Sequence, residues 1–310
     1  MILVVRGHAF VGRKGYMITV RYKKDGKEVT EAFPALDIEM AVFVGKGITV
    51  STAALQLLEE QNVPTLFHGV DWSFVTINPV KVGWSRARKN QYSMGETELG
   101  VKVAKEFIFG KLEGMSNVAK NLSYKGKKPT PNSDYWRSEG RGELASCKNL
   151  DCVKKLEAEW SSKLWKDIVQ FVPGMRSRVP RGNDPPNRTL DYLYALLYSV
   201  CNHALVGAGL DPYAGLIHRE RAGKLSFVYD FSEMFKPMAI YVMATAIRTY
   251  KIELEGDFLN KESLQKVTQL FYSIFESKKY SVRKWVYAKA WQLRDAIESG
   301  KEFKAFVFRP

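Results

Sequence analysis

Residues 209–237 read GLDPYAGLIHRERAGKLSFVYDFSEMFKP and place one histidine and a pair of acids where flanking structure can aim them inward. After the turn formers Gly209-Leu210-Asp211-Pro212, an apolar run over residues 213–217 ends at His218. Ala222-Gly223-Lys224 then reads as a turn into Leu225-Ser226-Phe227-Val228-Tyr229, an extended, β-prone segment that delivers Asp230. Asp230 and Glu233 stand three apart at what reads as a helix start, so both carboxylates share one face. A histidine facing two acids could hold a divalent cation. An Asp-x-x-Glu before an apolar run is also a capping box, in which Asp230 caps the helix and Glu233 bonds back without any chemistry. Spacing alone puts the cap ahead of the metal, so the rest of the chain has to decide.

A chain of 310 residues with 45% hydrophobic content is globular and long enough for two domains. Its 47 Lys and Arg against 33 acids give a formal charge of +14, which favours a polyanionic partner, nucleic acid foremost, over an acidic small molecule. No apolar run reaches the ~18 residues of a spanning helix, and Met1-Ile2-Leu3-Val4-Val5-Arg6 lacks the basic start and long apolar core of a signal peptide. The expectation is a cytoplasmic protein with no membrane contact. Cys147, Cys152 and Cys201 are too few and too irregular for a disulfide framework or paired zinc knuckles, and Cys201, within an apolar stripe, reads as a small buried hydrophobe. No Walker loop, dinucleotide fingerprint or Gly-x-Ser-x-Gly elbow occurs, which argues against ATP, NAD and serine-hydrolase chemistry.

The fold class expected is α+β: a small β-rich N-terminal domain with one helix, then a mostly α-helical catalytic domain. Residues 1–79 carry short β-like runs, a hairpin signal at Asp25-Gly26, and one helix over residues 51–61 that Ser51 can cap, packed on a small sheet. His8 and His68 lie beside glycines and read as structural. Residues 80–90 form a basic, aromatic linker in which Arg86 and Arg88 suit a phosphate backbone. In the second domain, residues 91–310, the period becomes helical, interrupted by residues 123–141, a polar, basic stretch that reads as a mobile excursion. The helix over residues 151–172 has Leu156, Trp160, Leu164, Ile168 and Phe171 as its stripe, and Glu157 borders it as a solvated rim or salt-bridge acid would. A loop follows whose Arg176, Arg178 and Arg181 suit a DNA contact or a solvated connector, and then a strongly apolar helix carrying Tyr194 and Tyr198. Three more helices close the chain.

Taken together these segments resemble the CRISPR-associated adaptation integrase, the metal-dependent enzyme family that inserts new spacers into CRISPR arrays. Leu156-Glu157-Ala158-Glu159-Trp160 resembles its Glu-containing helix, Asn183-Asp184-Pro185-Pro186-Asn187 with Tyr192 and Tyr194 its Asp-Pro-x-Asn segment, and His218 with Asp230…Glu233…Phe235-Lys236-Pro237 its His and acidic motifs. Departures follow Glu157, where Ala158, Trp160, Ser161 and Ser162 replace the usual residues, and occur at Gly114-Met115, where an Asn-Gln pair is common. The resemblance implies that Glu157, His218 and one acid of the Asp230/Glu233 pair bind Mn²⁺ or Mg²⁺. Glu233 has the longer reach, and the family's variants favour the second acid, which leaves Asp230 as a support. It also implies a place for Tyr198 near the reacting strand, a homodimer formed through the β-rich domain, double-stranded and branched DNA as substrates, and a small dimeric adaptation partner. Competing expectations are a transposase built on the same domain and a non-catalytic DNA-binding scaffold.

Overall fold

The computed structural model describes residues 2–38, 40–61, 63, 65–68, 74–77, 85–218, 221 and 223–310. The chain divides into two compact units, residues 1–82 and 83–310. Residues 80–84 of the expected linker, Ala222 of the expected turn and the side chain of His68 lie outside the described residues.

The first unit contains β1 (Ile2–Arg6), β2 (Ala9–Lys14), β3 (Met17–Lys24), β4 (Lys27–Pro34), β5 (Met40–Val44), β6 (Ile48–Val50), α1 (Thr52–Glu60), β7 (Thr65–His68) and β8 (Phe74–Ile77). Asp25 and Gly26 both take positive φ, at 51° and 78°, and join β3 to β4 in the two-residue hairpin that their types favour. Instead of the one small sheet expected, the described residues form two four-stranded sheets, ordered β1-β5-β7-β8 and β4-β3-β2-β6. β2 pairs in parallel with β6, a partner distant in sequence, and no local pattern announces such a pairing. Ser51 caps α1 by accepting from the Ala54 N–H at 3.2 Å, and the helix buries Ala54, Leu57 and Leu58 against Leu3, Val11, Ile18 and Phe43.

The second unit starts earlier than expected. Residues 85–90 of the expected linker belong to α2 (Ser85–Ser93), because Ala87 and Gln91 sit on one face and are buried. Then come α3 (Glu98–Gly126), α4 (Pro131–Tyr135), a π-helical turn (Trp136–Gly140), α5 (Arg141–Ser146) and α6 (Leu150–Val169). Residues 123–141 are therefore mostly helical, with a short connection at 127–130, rather than the irregular excursion expected. What holds them is the fully buried Trp136, whose indole N–H donates to Glu113 at 3.0 Å, and the buried Asp167, which accepts from Asn132 Nδ2, Ser133 N and Ser133 Oγ at 2.7, 2.7 and 2.9 Å. Polar composition concealed a buried network.

Asn149 caps α6 by accepting from the Cys152 N–H at 2.8 Å. Cys147 and Cys152 form a disulfide across this helix start, with Cα atoms 5.5 Å apart, a pairing that the small cysteine count had argued against. Cys201 is buried and free, as expected. Closing so short a loop restricts the unfolded chain modestly, so adding reductant should cost about 2 kcal/mol of stability. A melting temperature indifferent to reductant would contradict this.

Asp184 caps α7 (Pro185–Gly207) by accepting from the Asn187 N–H at 2.9 Å, and Pro185 fills the first helical position, where its missing N–H costs nothing. The segment expected to be extended, residues 225–229, is helical. It belongs to α8 (Ser226–Ser232), which runs through a 3-10 turn (Glu233–Phe235) into α9 (Lys236–Thr249). Phe and Val favour strands in isolation, but Phe227, Val228, Phe231 and Phe235 recur at helical spacing and are all fully buried, so packing overrides propensity. A small hairpin of β9 (Leu254–Glu255) and β10 (Phe258–Leu259), α10 (Lys261–Phe275) and α11 (Val282–Ser299) complete the unit.

Two glycines on α3 bring this core close to the 3-10 turn. A Cβ at Gly110 would lie 2.6 Å from Met234 Cβ, and one at Gly114 would lie 2.6 Å from Pro237 Cγ. The departure at Gly114 thus has a packing cause: α3 lies too near Pro237 for any side chain. Gly114→Val is expected to destabilise the protein by roughly 1–3 kcal/mol through overpacking, read by thermal denaturation. An unshifted melting curve would mean that the contact yields freely.

Candidate active site

Four segments of the second unit meet at one cluster. On α6, Val153, Glu157, Trp160 and Leu164 follow one another at steps of four, three and four, so Glu157 stands within the core-facing stripe rather than beside it. Its side chain, 21% exposed, accepts from Ser161 Oγ at 2.9 Å and pairs with Lys111 of α3. Lys111 reaches Glu233 as well, with Nζ 2.8 Å from Oε2, and Lys236 binds Glu233 Oε1 at 2.6 Å. Glu233 is buried, and Oε2 makes no hydrogen bond among the described residues beyond this ion pairing. Burial opposes the charge of its carboxylate, but Lys111, Lys236 and His218 outweigh that and hold its pKa down at about 2. For Lys111, burial is likewise outweighed, and Glu233 and Glu157 hold the ammonium above its ordinary range.

His218 ends an irregular loop rather than a regular element. The loop is anchored at its start by Gln91 of α2, which accepts from Asp211 N and donates to Asp211 O, both at 2.8 Å. At its end it is anchored by Asp230. This fully buried carboxylate accepts from the backbone N–H groups of Leu216, Ile217 and His218 at 2.5, 3.0 and 3.0 Å, and from His218 Nδ1 at 2.5 Å. Asp230 is therefore no helix cap; its oxygens are taken by a loop. Because a carboxylate can only accept, Nδ1 donates to Asp230, which leaves Nε2, 3.9 Å from Glu233 Oε1, as the ring nitrogen that faces the site. The side chain of His218 remains 43% exposed and open to a ligand.

Among the described residues, no three His, Cys, Asp or Glu side chains stand close enough together to hold a metal ion as they are. The donor set nevertheless fits a hard cation. Glu157 and Glu233, from different helices, already converge on one positive charge, the Lys111 ammonium, and the His218 imidazole faces Glu233. Of the two acids that competed, Glu233 faces this position while Asp230 is fully engaged elsewhere.

Tyr198 lines the same site, edge-on to Tyr229 at 4.9 Å, and Tyr229 in turn lies 5.9 Å from the His218 ring. Burial first and the Glu233 charge second push the pKa of the Tyr198 hydroxyl far above its ordinary range, which favours the neutral phenol. Next to His218 opens a cavity of about 310 Å³ lined by Lys154, His218, Arg221, Lys224, Ser226 and Tyr229.

The arginines are not all placed alike. Arg86, Arg176 and Arg181 are exposed. Arg178 is instead tied into the fold: it binds Asp191 at 2.6 Å and Asn187 Oδ1 at 3.0 Å and lies over the Tyr194 ring. Arg88 is half-buried and donates to Gly209 O at 3.2 Å, supporting the same loop as Gln91. Sequence reasoning overlooked Lys111, Lys154 and Arg221, and it named Lys236 and Lys224 only as parts of a motif and a turn. For Lys111 a signal existed, since a lysine on the face of Phe107, Ile108 and Met115, all fully buried, requires buried acids as partners.

A family model described as "CRISPR associated protein Cas1" matches residues 2–272. The chain is 29% identical over 298 residues to the CRISPR-associated endonuclease Cas1 of Hyperthermus butylicus, covering 89% of this chain and 90% of that one. Its fold is similar to that of a casposase bound to integration product, with a TM-score of 0.78, 20% identity, and 98% of this chain and 92% of that one covered. It is also similar to a chain of a Cas6-RT-Cas1–Cas2 complex, with a TM-score of 0.75, 17% identity, and 100% of this chain and 36% of that one covered.

Proposed function

Because the chain belongs to the Cas1 family of CRISPR-associated proteins, we propose that it is a metal-dependent DNA endonuclease and integrase that inserts new spacers into a CRISPR array by 3′-OH attack on repeat phosphodiesters. The observation that carries this is the convergence of Glu157 and Glu233 on one cation position beside an imidazole that Asp230 orients. Glu157, His218 through Nε2, and Glu233 would hold Mn²⁺ or Mg²⁺. Such an ion, when bound, supplies Lewis acidity toward a phosphodiester and favours deprotonation of the attacking hydroxyl.

The chain's own residues account for the rest. Asp230 keeps the His218 proton on Nδ1 and fixes the loop that carries the ring. Lys154, Arg221 and Lys224, around the cavity next to His218, favour a phosphate there by charge. Tyr198 stays protonated and can donate to a phosphate oxygen or an attacking hydroxyl. A DNA 3′-OH as the nucleophile gives strand transfer, and water gives hydrolysis. One phosphodiester replaces another, so no nucleotide fuel and no covalent enzyme intermediate are required, consistent with the missing Walker loop.

We also assign double-stranded and branched DNA as substrates, a homodimer through the β-rich unit, and a small dimeric adaptation protein as partner, which the likeness to the Cas1–Cas2 assembly supports. We assign a cytoplasmic site of action; no helix among the described residues is long and apolar enough to cross a membrane. The casposase likeness favours one second reading, a transposase with the same chemistry; terminal inverted repeats beside the gene, in place of CRISPR repeats, would select it. Cleavage of branched DNA by the purified protein should need Mn²⁺ or Mg²⁺, stop with a chelator and be absent from Glu157→Ala. Cleavage undiminished in Glu157→Ala would remove this site as its source, and a wild-type protein that binds DNA without cleaving it under any metal would leave only a DNA-binding scaffold.

DNA affinity is expected to fall steeply with salt. Replacing the exposed Arg86, Arg176 and Arg181 together should reduce the slope of log K against log salt by up to about 3, since each phosphate neutralised releases close to one counterion. An unchanged slope would remove these three from the footprint.

A further inference from the structure

The contacts described for the Lys111 ammonium are two carboxylates, Glu157 Oε1 and, at 2.8 Å, Glu233 Oε2. The side chain is only 11% exposed and leaves α3 from a core-facing position. Lys236 differs. Among the described residues it pairs with Glu233 Oε1 and also lies over the rings of Tyr194 and Tyr198, at 5.4 and 5.7 Å, so aromatic faces hold it whatever Glu233 does. Two carboxylates brought together on separate helices repel one another unless a positive charge lies between them. In this chain that charge is supplied by Lys111.

We infer that Lys111 is the resident counter-ion of this ligand set: its ammonium holds Glu157 and Glu233 together in the metal-free protein and is displaced when a divalent cation takes the same carboxylates. The inference rests on the metal site proposed above and concerns what fills it beforehand. A divalent ion and an ammonium do not share the gap, because their summed charge would exceed that of the two carboxylates in a poorly solvated place. The flexible four-carbon stem of lysine lets the ammonium withdraw without moving α3. Displacement has two consequences. Metal affinity in the native protein is lowered by the cost of parting Lys111 from both acids, and the fold does not depend on metal to keep the acids apart from mutual repulsion.

Lys111→Met preserves the length of the side chain and removes the charge. Titration calorimetry with Mn²⁺ on the full chain is expected to give a Kd lower on the order of tenfold or more for this variant, and a larger rise in melting temperature on adding Mn²⁺ than wild type shows. Equal or weaker Mn²⁺ binding by a folded Lys111→Met protein overturns the displacement while leaving the metal site standing. No Mn²⁺ binding by either protein overturns both. Should the metal-free variant fail to fold, wild type answers directly: in protein labelled with ¹³Cε-lysine, the Lys111 resonance, assigned through Lys111→Arg, should move in step with Mg²⁺ saturation. A resonance unmoved at saturation overturns the proposal.

Discussion

Glu233→Gln is expected to abolish Mn²⁺-dependent DNA cleavage, a loss of two orders of magnitude or more, and to lower the free energy of unfolding by about 3–5 kcal/mol. The catalytic loss follows from removing the one acid that faces Lys111, Lys236 and His218 together. The stability loss arises because an amide cannot neutralise two ammonium groups, so buried positive charge is left uncompensated. The pH dependence has a definite sign. Glu233 has its pKa depressed to about 2 in the folded state, so its contribution is present above the ordinary carboxylate value of 4.5 and is lost as pH falls from there toward 2. The Gln variant should lose that acid limb. A Glu233→Gln protein that melts like wild type at neutral pH and shows the same acid limb would dissociate this carboxylate from the buried pairs.

Asp230→Asn should act differently. Asp230 touches neither Glu157 nor Glu233, yet it accepts three backbone N–H groups and the imidazole. An amide in its place must turn its NH₂ toward donors that already point inward, and charge-assisted bonds of this kind are worth about 1.5–3 kcal/mol each. We expect at least 3 kcal/mol of destabilisation and a 10- to 100-fold loss of metal affinity or activity. Raising Mn²⁺ should restore much of the cleavage in Asp230→Asn and none in Glu233→Gln, because the first variant keeps all three ligands and loses only the orientation of one. If excess Mn²⁺ rescues both variants equally, or neither, the division of labour between these two acids is wrong.

A good deal of this was legible in the chain itself. The periodic stripe of α6 and the apolar run of α7 announced helices, and Ser51 was legible as the cap of α1; that Asn149 and Asp184 cap α6 and α7 came only from the structure. The Asp25-Gly26 pair specified its hairpin because both residues tolerate positive φ. Glu157, His218, Asp230 and Glu233 were legible as candidates, through residue type, local spacing and resemblance.

Tertiary structure decided what local pattern cannot carry. Phe227, Val228 and Tyr229 are strand formers by propensity, and only burial of their helical face within the core of the second unit makes them α8. Whether Asp230 capped a helix or served the histidine depended on a loop folding back over α8, a contact across 12 residues that a spacing rule does not contain. Arg178 looked like any other basic loop residue until Asp191 and Asn187 claimed it. Most consequential is Lys111, 46 residues from Glu157 and far from Glu233 in the chain, yet seated between them. Which charges neutralise one another is set by distance in space, since Coulomb energy depends on separation and local dielectric and not on sequence order. Composition alone could determine that the protein is basic; only packing α3 against α6 and the 3-10 turn could determine which base holds the two acids.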